Sequence, residues 1–228
     1  MEDVFARNLP DRTMIKALTV MLALAGFFGA ASAQDAKAGE KKAAMCIGCH
    51  GIIGYQASFP EVHKVPMISG QNAKYIAASL NAYKKGERKH PTMGGIATSL
   101  SEVDIADLSA YYEQHGKSSI VTVADVPAVP PSSDVAALLT KGACASCHGA
   151  NYSKPIDGAY PKLAGQHADY LYVALKSYQT EGNPKVGRGN AIMQGQVKQF
   201  KHAELKLLAN YLASLPGEVR TIPQSKFR

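Results

Sequence analysis

Apolar residues recur at helical rather than alternating spacing along most of this chain. In "SEVDIADLSAYYEQHG", Ile105, Leu108 and Tyr112 fall on one face. Ser101 and Asp104 stand at capping-box spacing before that face, and Gly116 closes it. "AELKLLANYLASLPG" places Leu205, Leu208 and Leu212 in the same way and stops at Pro216-Gly217. The segments around Tyr75 and Tyr170 read as further helices, and Ala36 to Ala44 and Val135 to Lys141 as short ones. No stretch alternates convincingly as a strand would, so the expected fold class is all-α.

The pattern occurs twice. "PMISGQNAKYIAASLNAY" (66–83) matches "PKLAGQHADYLYVALKSY" (161–178) at a constant offset of 95. Pro66, Gly70, Gln71, Tyr75, Leu80 and Tyr83 pair with Pro161, Gly165, Gln166, Tyr170, Leu175 and Tyr178. Farther on the offset becomes 100, pairing Met93, Gly95, Leu108 and Tyr111 with Met193, Gly195, Leu208 and Tyr211. A longer loop, "TEGNPKVGRGNAIM", accounts for the difference. Between the copies lies "VTVADVPAVPPSSD", whose prolines favour an extended, semi-rigid linker. The expected domains are therefore 34–122 and 134–228, joined by a linker at 123–133. At about 90 residues each, a core alone gives modest stability, and a large buried cofactor would add to it.

Residues 1–33 read as a secretory leader. Lys16 supplies the positive region, Ala17 to Ala30 an apolar run, and Ala31-Ser32-Ala33 a cleavage site before Gln34. The run falls short of the ~20 apolar residues of a membrane span. Glu2, Asp3 and Asp11 do not suit such a leader, which points to Met14 as the start. Export implies a periplasmic location and an oxidising surrounding in which idle thiols do not persist. The formal charge is +7, which favours anionic partners. Export makes nucleic acid a poor one, whereas loose association with a membrane surface is compatible with the charge. Residues 34–122 hold ten basic against eight acidic residues, and 134–228 twelve against six, so the second copy is the stronger docking candidate. A solvated lysine-rich face would explain the excess equally well.

All four cysteines fall in two copies of one pattern. "CIGCH" holds Cys46, Cys49 and His50, and "CASCH", 98 residues later, holds Cys144, Cys147 and His148. C-x-x-C-H in an exported chain is the attachment pattern of c-type haem. Two thiols one turn apart form thioethers with the two vinyl groups of one haem, and the histidine is then held beneath the iron. A zinc site built from the two pairs would bring them closer in sequence and would not call for a histidine after each. A thioredoxin-like redox site needs a βαβ setting, and local disulfides need no histidine. The expected cofactors are two covalently bound haem c groups.

The other axial ligand decides what such an iron does: an open site binds gases or peroxide, and a methionine thioether suits electron transfer. Met93 and Met193 occupy one repeat position, 43 and 45 residues after His50 and His148, each before a C-terminal helix. They are the expected sixth ligands. Met67 aligns with Lys162 and reads as packing, while Met45 adjoins Cys46 and is poorly placed for the opposite haem face. Pro66 and Pro161 offer a carbonyl to the second imidazole nitrogen of each histidine. His63, His90, His115, His167 and His202 have no counterpart in the other copy and read as surface or loop residues, with His90, three residues before Met93, a competitor for that iron.

In "CIGCH" and "CASCH", the P-x-[IL]-x-G-Q-x-x-x-Y stretches, "KKGER", the methionine loops and "DIADLSAYY", the chain resembles the dihaem cytochromes c of the cytochrome c4 family. The likeness spans the whole chain after the leader. It implies two tandem class I cytochrome c domains, haems that approach each other across a pseudo-twofold interface, and delivery of electrons to a terminal oxidase. "KHPTMGGIA" departs from the Asn- and Met-richer loops of that family. The expected function is periplasmic electron transfer between respiratory components, without substrate turnover. Membrane complexes such as a terminal oxidase or a cytochrome bc complex would be the partners. An alternative is the electron-accepting subunit of a periplasmic dehydrogenase acting on sulfide or another sulfur compound. A dihaem peroxidase would need a vacant or displaceable position at one iron, against which the matched methionines stand.

Overall fold

A computed structural model describes residues 34–117 and 123–223. The leader expected at 1–33 and the boundary at residue 122 lie outside the described residues. The helices of the first half are α1 (Ala36–Lys42), α2 (Ala44–His50), α3 (Ala73–Lys84), α4 (Pro91–Thr98) and α5 (Glu102–Gln114). The second half has α6 (Ser133–Lys141), α7 (Ala145–His148), α8 (Ala168–Gln179), α9 (Ala191–Val197) and α10 (His202–Ser214). The expected single helix from Ala36 to Ala44 ends earlier, at Lys42, and a separate helix then carries the first cysteine motif.

Each half has its own apolar core. The first gathers Ile47, Ile76, Leu100, Ile105, Leu108 and Tyr112. The second gathers Leu138, Leu171, Phe200, Leu205, Leu208 and Leu212 among others. The stripes on α5 and α10 are thus the faces that meet the cores. Ser101 and Asp104 close a capping box on α5, with side chain and backbone N–H bonds of 3.0 and 3.1 Å. Helix α1 crosses α5 at Gly39, where a Cβ would lie 2.1 Å from the Asp107 carbonyl oxygen. Only glycine permits that approach.

The described residues also hold four two-residue strands, too short to change the all-α class. β1 (Gln56–Ala57) pairs with β2 (His63–Lys64) inside the first half. β3 (Arg88–Lys89) pairs antiparallel with β4 (Gly187–Arg188), one strand from each half. Ladders of two residues have no periodicity to read and form because tertiary packing brings them together. In the β3–β4 pair Arg88 lies opposite Arg188, its own equivalent at the offset of 100. Two equivalent residues facing each other place a local twofold axis between them.

More contacts join the halves around this pair. Lys64 bonds Asp169 at 3.2 Å, Lys176 bonds Glu61 at 2.5 Å, and Ser69 bridges Arg220 near the C-terminal end of the described chain. Residues 123–132 run without helix along the second half. They are held there by Tyr211 Oη donating to the Val129 carbonyl at 3.0 Å and Asn151 Nδ2 to the Ala124 carbonyl at 2.6 Å.

Candidate functional site

The first cysteine motif occupies α2, which ends at His50 and is stopped by Gly51. The second occupies the turn from Cys144 through α7, ending at His148 and Gly149, whose φ is 78°. One turn of helix puts both thiols of a motif and its histidine along one side of the chain. No disulfide joins any of the four cysteines, so all four side chains are available for thioethers. Among the described residues no three His, Cys, Asp or Glu side chains gather as a metal-binding cluster. The two C-x-x-C pairs therefore do not assemble into one zinc site.

Each histidine is oriented by its own loop. His50 Nδ1 donates to the Pro66 carbonyl at 2.9 Å, and His148 Nδ1 donates to the Pro161 carbonyl at 3.0 Å. A carbonyl only accepts, so Nδ1 carries the proton and Nε2 of the neutral ring keeps its lone pair. Burial lowers the pKa of both rings, more than the carbonyl bonds raise it, and favours this neutral form.

Met93 sits in the first turn of α4 and Met193 in the first turn of α9. Asn190 Oδ1 caps the second of these helices, accepting from Met193 N–H at 3.0 Å. In the first half His90 holds the equivalent place, its Nδ1 accepting from Met93 N–H at 3.4 Å. His90 is thus the counterpart of Asn190, a match hidden by the change of residue type. His63 departs from expectation too: it is only 5% exposed, donates from Nδ1 to the Glu61 carbonyl at 2.8 Å and stacks on Tyr170. Burial follows from its place in β2, against the second half.

All eight expected site residues line one cavity of about 570 Å3: Cys46, Cys49, His50 and Met93 from the first half, and Cys144, Cys147, His148 and Met193 from the second. Its remaining walls are largely apolar, among them Ile76, Leu80, Leu108, Leu171, Leu208 and Leu212. A charged cluster stands at the junction of the halves. Arg88 and Arg188 each donate from Nη2 to Tyr170 Oη, at 2.9 and 3.2 Å. Arg88 also lies over the Tyr83 ring and Arg188 over that of Tyr178. Among the described residues no carboxylate pairs with either guanidinium. Arg88 Nε is buried without a hydrogen-bond partner. Burial would raise the Tyr170 hydroxyl, but the two arginines outweigh it and bring the pKa down to about 7.

An apolar chamber with paired thiols on its wall and cationic donors short of an anion fits haem. The macrocycle needs apolar walls, and its propionates would meet the guanidiniums and the orphaned Nε. The arginine pair escaped the sequence reading, although "KKGERKH" and "KVGRGN" place an arginine at the same offset as the methionines.

Helical halves built around two C-x-x-C-H motifs that open on such a chamber define a dihaem c-type cytochrome. Comparison with known proteins agrees. The cytochrome c family model matches residues 132–216. Cytochrome c4 of Azotobacter vinelandii is 31% identical over 216 residues, covering 89% of this chain and 100% of the relative. The crystal structure of reduced recombinant cytochrome c4 from Pseudomonas stutzeri superposes with a TM-score of 0.56 at 27% identity, covering 80% of this chain and 100% of that one. A thiosulfate dehydrogenase electron acceptor of Stutzerimonas stutzeri is 27% identical, over 78% of this chain and 82% of its own. The chain belongs to the cytochrome c4 family and is an electron-transfer protein with two haem c groups.

Proposed function

We propose that this protein is an exported carrier that passes electrons to a terminal oxidase through two six-coordinate haems. Each half, 34–122 and 134–228, holds one. Cys46 and Cys49 anchor the first and Cys144 and Cys147 the second. His50 and Met93, and His148 and Met193, are the axial ligands. The supporting observation is that both matched sets line one apolar chamber, each histidine fixed by a carbonyl bond of 2.9 or 3.0 Å. Bound haem supplies a one-electron couple, and a thioether on its iron favours the reduced state. The chain's part is to hold the ligands, exclude water and balance the propionates with Arg88 and Arg188. Export rests on the leader expected at 1–33; among the described residues no helix is long and apolar enough to cross a membrane.

The test is the visible spectrum of the holoprotein, ferric and ferrous, with and without carbon monoxide. Two low-spin haems, a far-red methionine–iron band in the ferric form and no carbon monoxide binding are expected. A high-spin component or ready carbon monoxide binding would withdraw the methionine ligands and bring the peroxidase reading forward.

The likeness to a thiosulfate dehydrogenase electron acceptor favours a second reading, in which the donor is a dehydrogenase of sulfur compounds. Co-purification with a catalytic subunit, and reduction of the cytochrome by that subunit's substrate, would select it.

A further inference from the structure

The repeated G-Q dipeptide is the part of the motif that haem attachment leaves unexplained. Gly70 and Gly165 have φ of 83° and 75°, and their N–H groups bond within their own halves, to the carbonyls of Tyr112 and Leu212. The glutamines that follow reach the other way. Gln71 and Gln166 are 4% and 3% exposed. Gln166 Oε1 accepts from Met67 N–H at 3.0 Å, and its Nε2 donates to the Met67 carbonyl at 2.9 Å. Gln71 Oε1 accepts from Lys162 N–H at 2.9 Å, and its Nε2 donates to the Lys162 carbonyl at 3.0 Å. Met67 and Lys162 are equivalent residues, so the two crossings are related by the same local twofold as Arg88 and Arg188.

The N–H of Met67 and the carbonyl of Pro66 belong to one peptide group. That carbonyl accepts from His50 Nδ1, so a single amide joins the imidazole of the first half to the carboxamide of the second. The Pro161–Lys162 amide joins His148 to Gln71 in the same way. Hydrogen bonds in series through an amide polarise one another: a partner on N–H places more electron density on the carbonyl oxygen. A stronger acceptor holds Nδ1–H more tightly and makes Nε2 a better donor.

We infer that Gln71 and Gln166 are crossed positioning residues, each setting through one shared peptide the donor strength of the axial histidine in the opposite half. The inference rests on the reading of His50 and His148 as iron ligands. A better imidazole donor favours the oxidised iron, so removing a glutamine raises the potential of the haem across the interface. The potential of each haem thereby depends on the docking of the other half.

The test uses the full-length holoprotein with Gln166→Leu and Gln71→Leu made separately. The two potentials are read by spectroelectrochemistry, and each haem is assigned from the paramagnetically shifted signals of its axial ligands. Gln166→Leu is expected to raise the potential of the haem attached at Cys46 and Cys49 and to leave the other nearly unmoved. Gln71→Leu should do the reverse. Shifts confined to the haem of the mutated half, equal shifts of both, or none would overturn the inference. Should a leucine variant fail to fold, glutamate at the same position decides. Its carboxylate is a stronger acceptor for the shared amide and should lower the potential chiefly of the opposite haem, whereas a charge acting only through space at the junction would lower both and overturn the inference. His50→Ala is the control for the underlying reading. It should abolish the low-spin spectrum of one haem, and if it does not, the ligand assignment fails rather than the crossed coupling.

Discussion

At the scale of single residues, the site depends on side chains with one task each. If Met93 and Met193 close their irons, the alanine variants should behave alike. Each should lose about half of the far-red band and allow one haem per molecule to bind carbon monoxide, read by titration of the ferrous protein. Their surroundings are less alike than their positions. A carboxamide caps the helix of Met193 and an imidazole that of Met93, each accepting the methionine N–H. The matched methionines stood out in the sequence because residue type and offset agree. His90 did not, because a capping position accepts any side chain with a well-placed acceptor, and residue identity need not repeat. Arg88 and Arg188 repeat in type, but their purpose appears only where the chain folds them onto one tyrosine hydroxyl.

At the scale of elements, the crossing of α1 on α5 is the most constrained contact of the first half. Asp107 is 3% exposed; its carboxylate accepts from Asp35 N–H at 3.0 Å and from Lys42 Nζ at 2.7 Å. Lys42, followed by the Asp35 N–H, holds the Asp107 carboxyl below the usual carboxylate range, against the cost of burial. A depressed pKa in the folded state adds stability above the unfolded carboxylate pKa of about 4, and that stability is lost as pH falls through the folded value. Asp107→Asn should therefore cost about 1–3 kcal/mol at pH 7 in denaturant unfolding, and less as the pH is taken below about 4. A cost independent of pH would show that the charge is not what matters. The helices themselves were legible because α5 and α10 carry long apolar stripes and punctuation at both ends. The short strands were not, since a two-residue ladder is defined by the partner it meets and not by its own residues.

At the scale of the molecule, charge is the property a partner meets first. The sequence carries +7, most of it in the second half. Transfer to an acidic partner should slow as ionic strength rises from about 0.01 to 0.15 M, by ~10-fold if steering dominates. Stopped-flow rates at several salt concentrations measure this, and a flat dependence would assign the excess lysine to solvation. Exposed apolar side chains occur in both halves, Ile52, Ile53 and Val62 in the first and Ile156, Ile192 and Leu207 in the second, so charge is what distinguishes them.

The sequence by itself determined the helical class, the twofold repetition and the two haem attachment motifs. Each of these is local or periodic: a C-x-x-C-H spacing, an apolar stripe at helical spacing, a segment that recurs at a fixed offset. Local order survives in a linear reading because its physical cause acts over a few residues. What only the tertiary structure decided is how the two copies meet. The β3–β4 pair, Arg88 on Tyr170 and the crossed glutamines join residues 82 to 100 positions apart. Repetition announces that two similar units exist, but their mutual docking follows from surface complementarity and from polar groups that must be satisfied when buried. No spacing along one chain encodes those conditions.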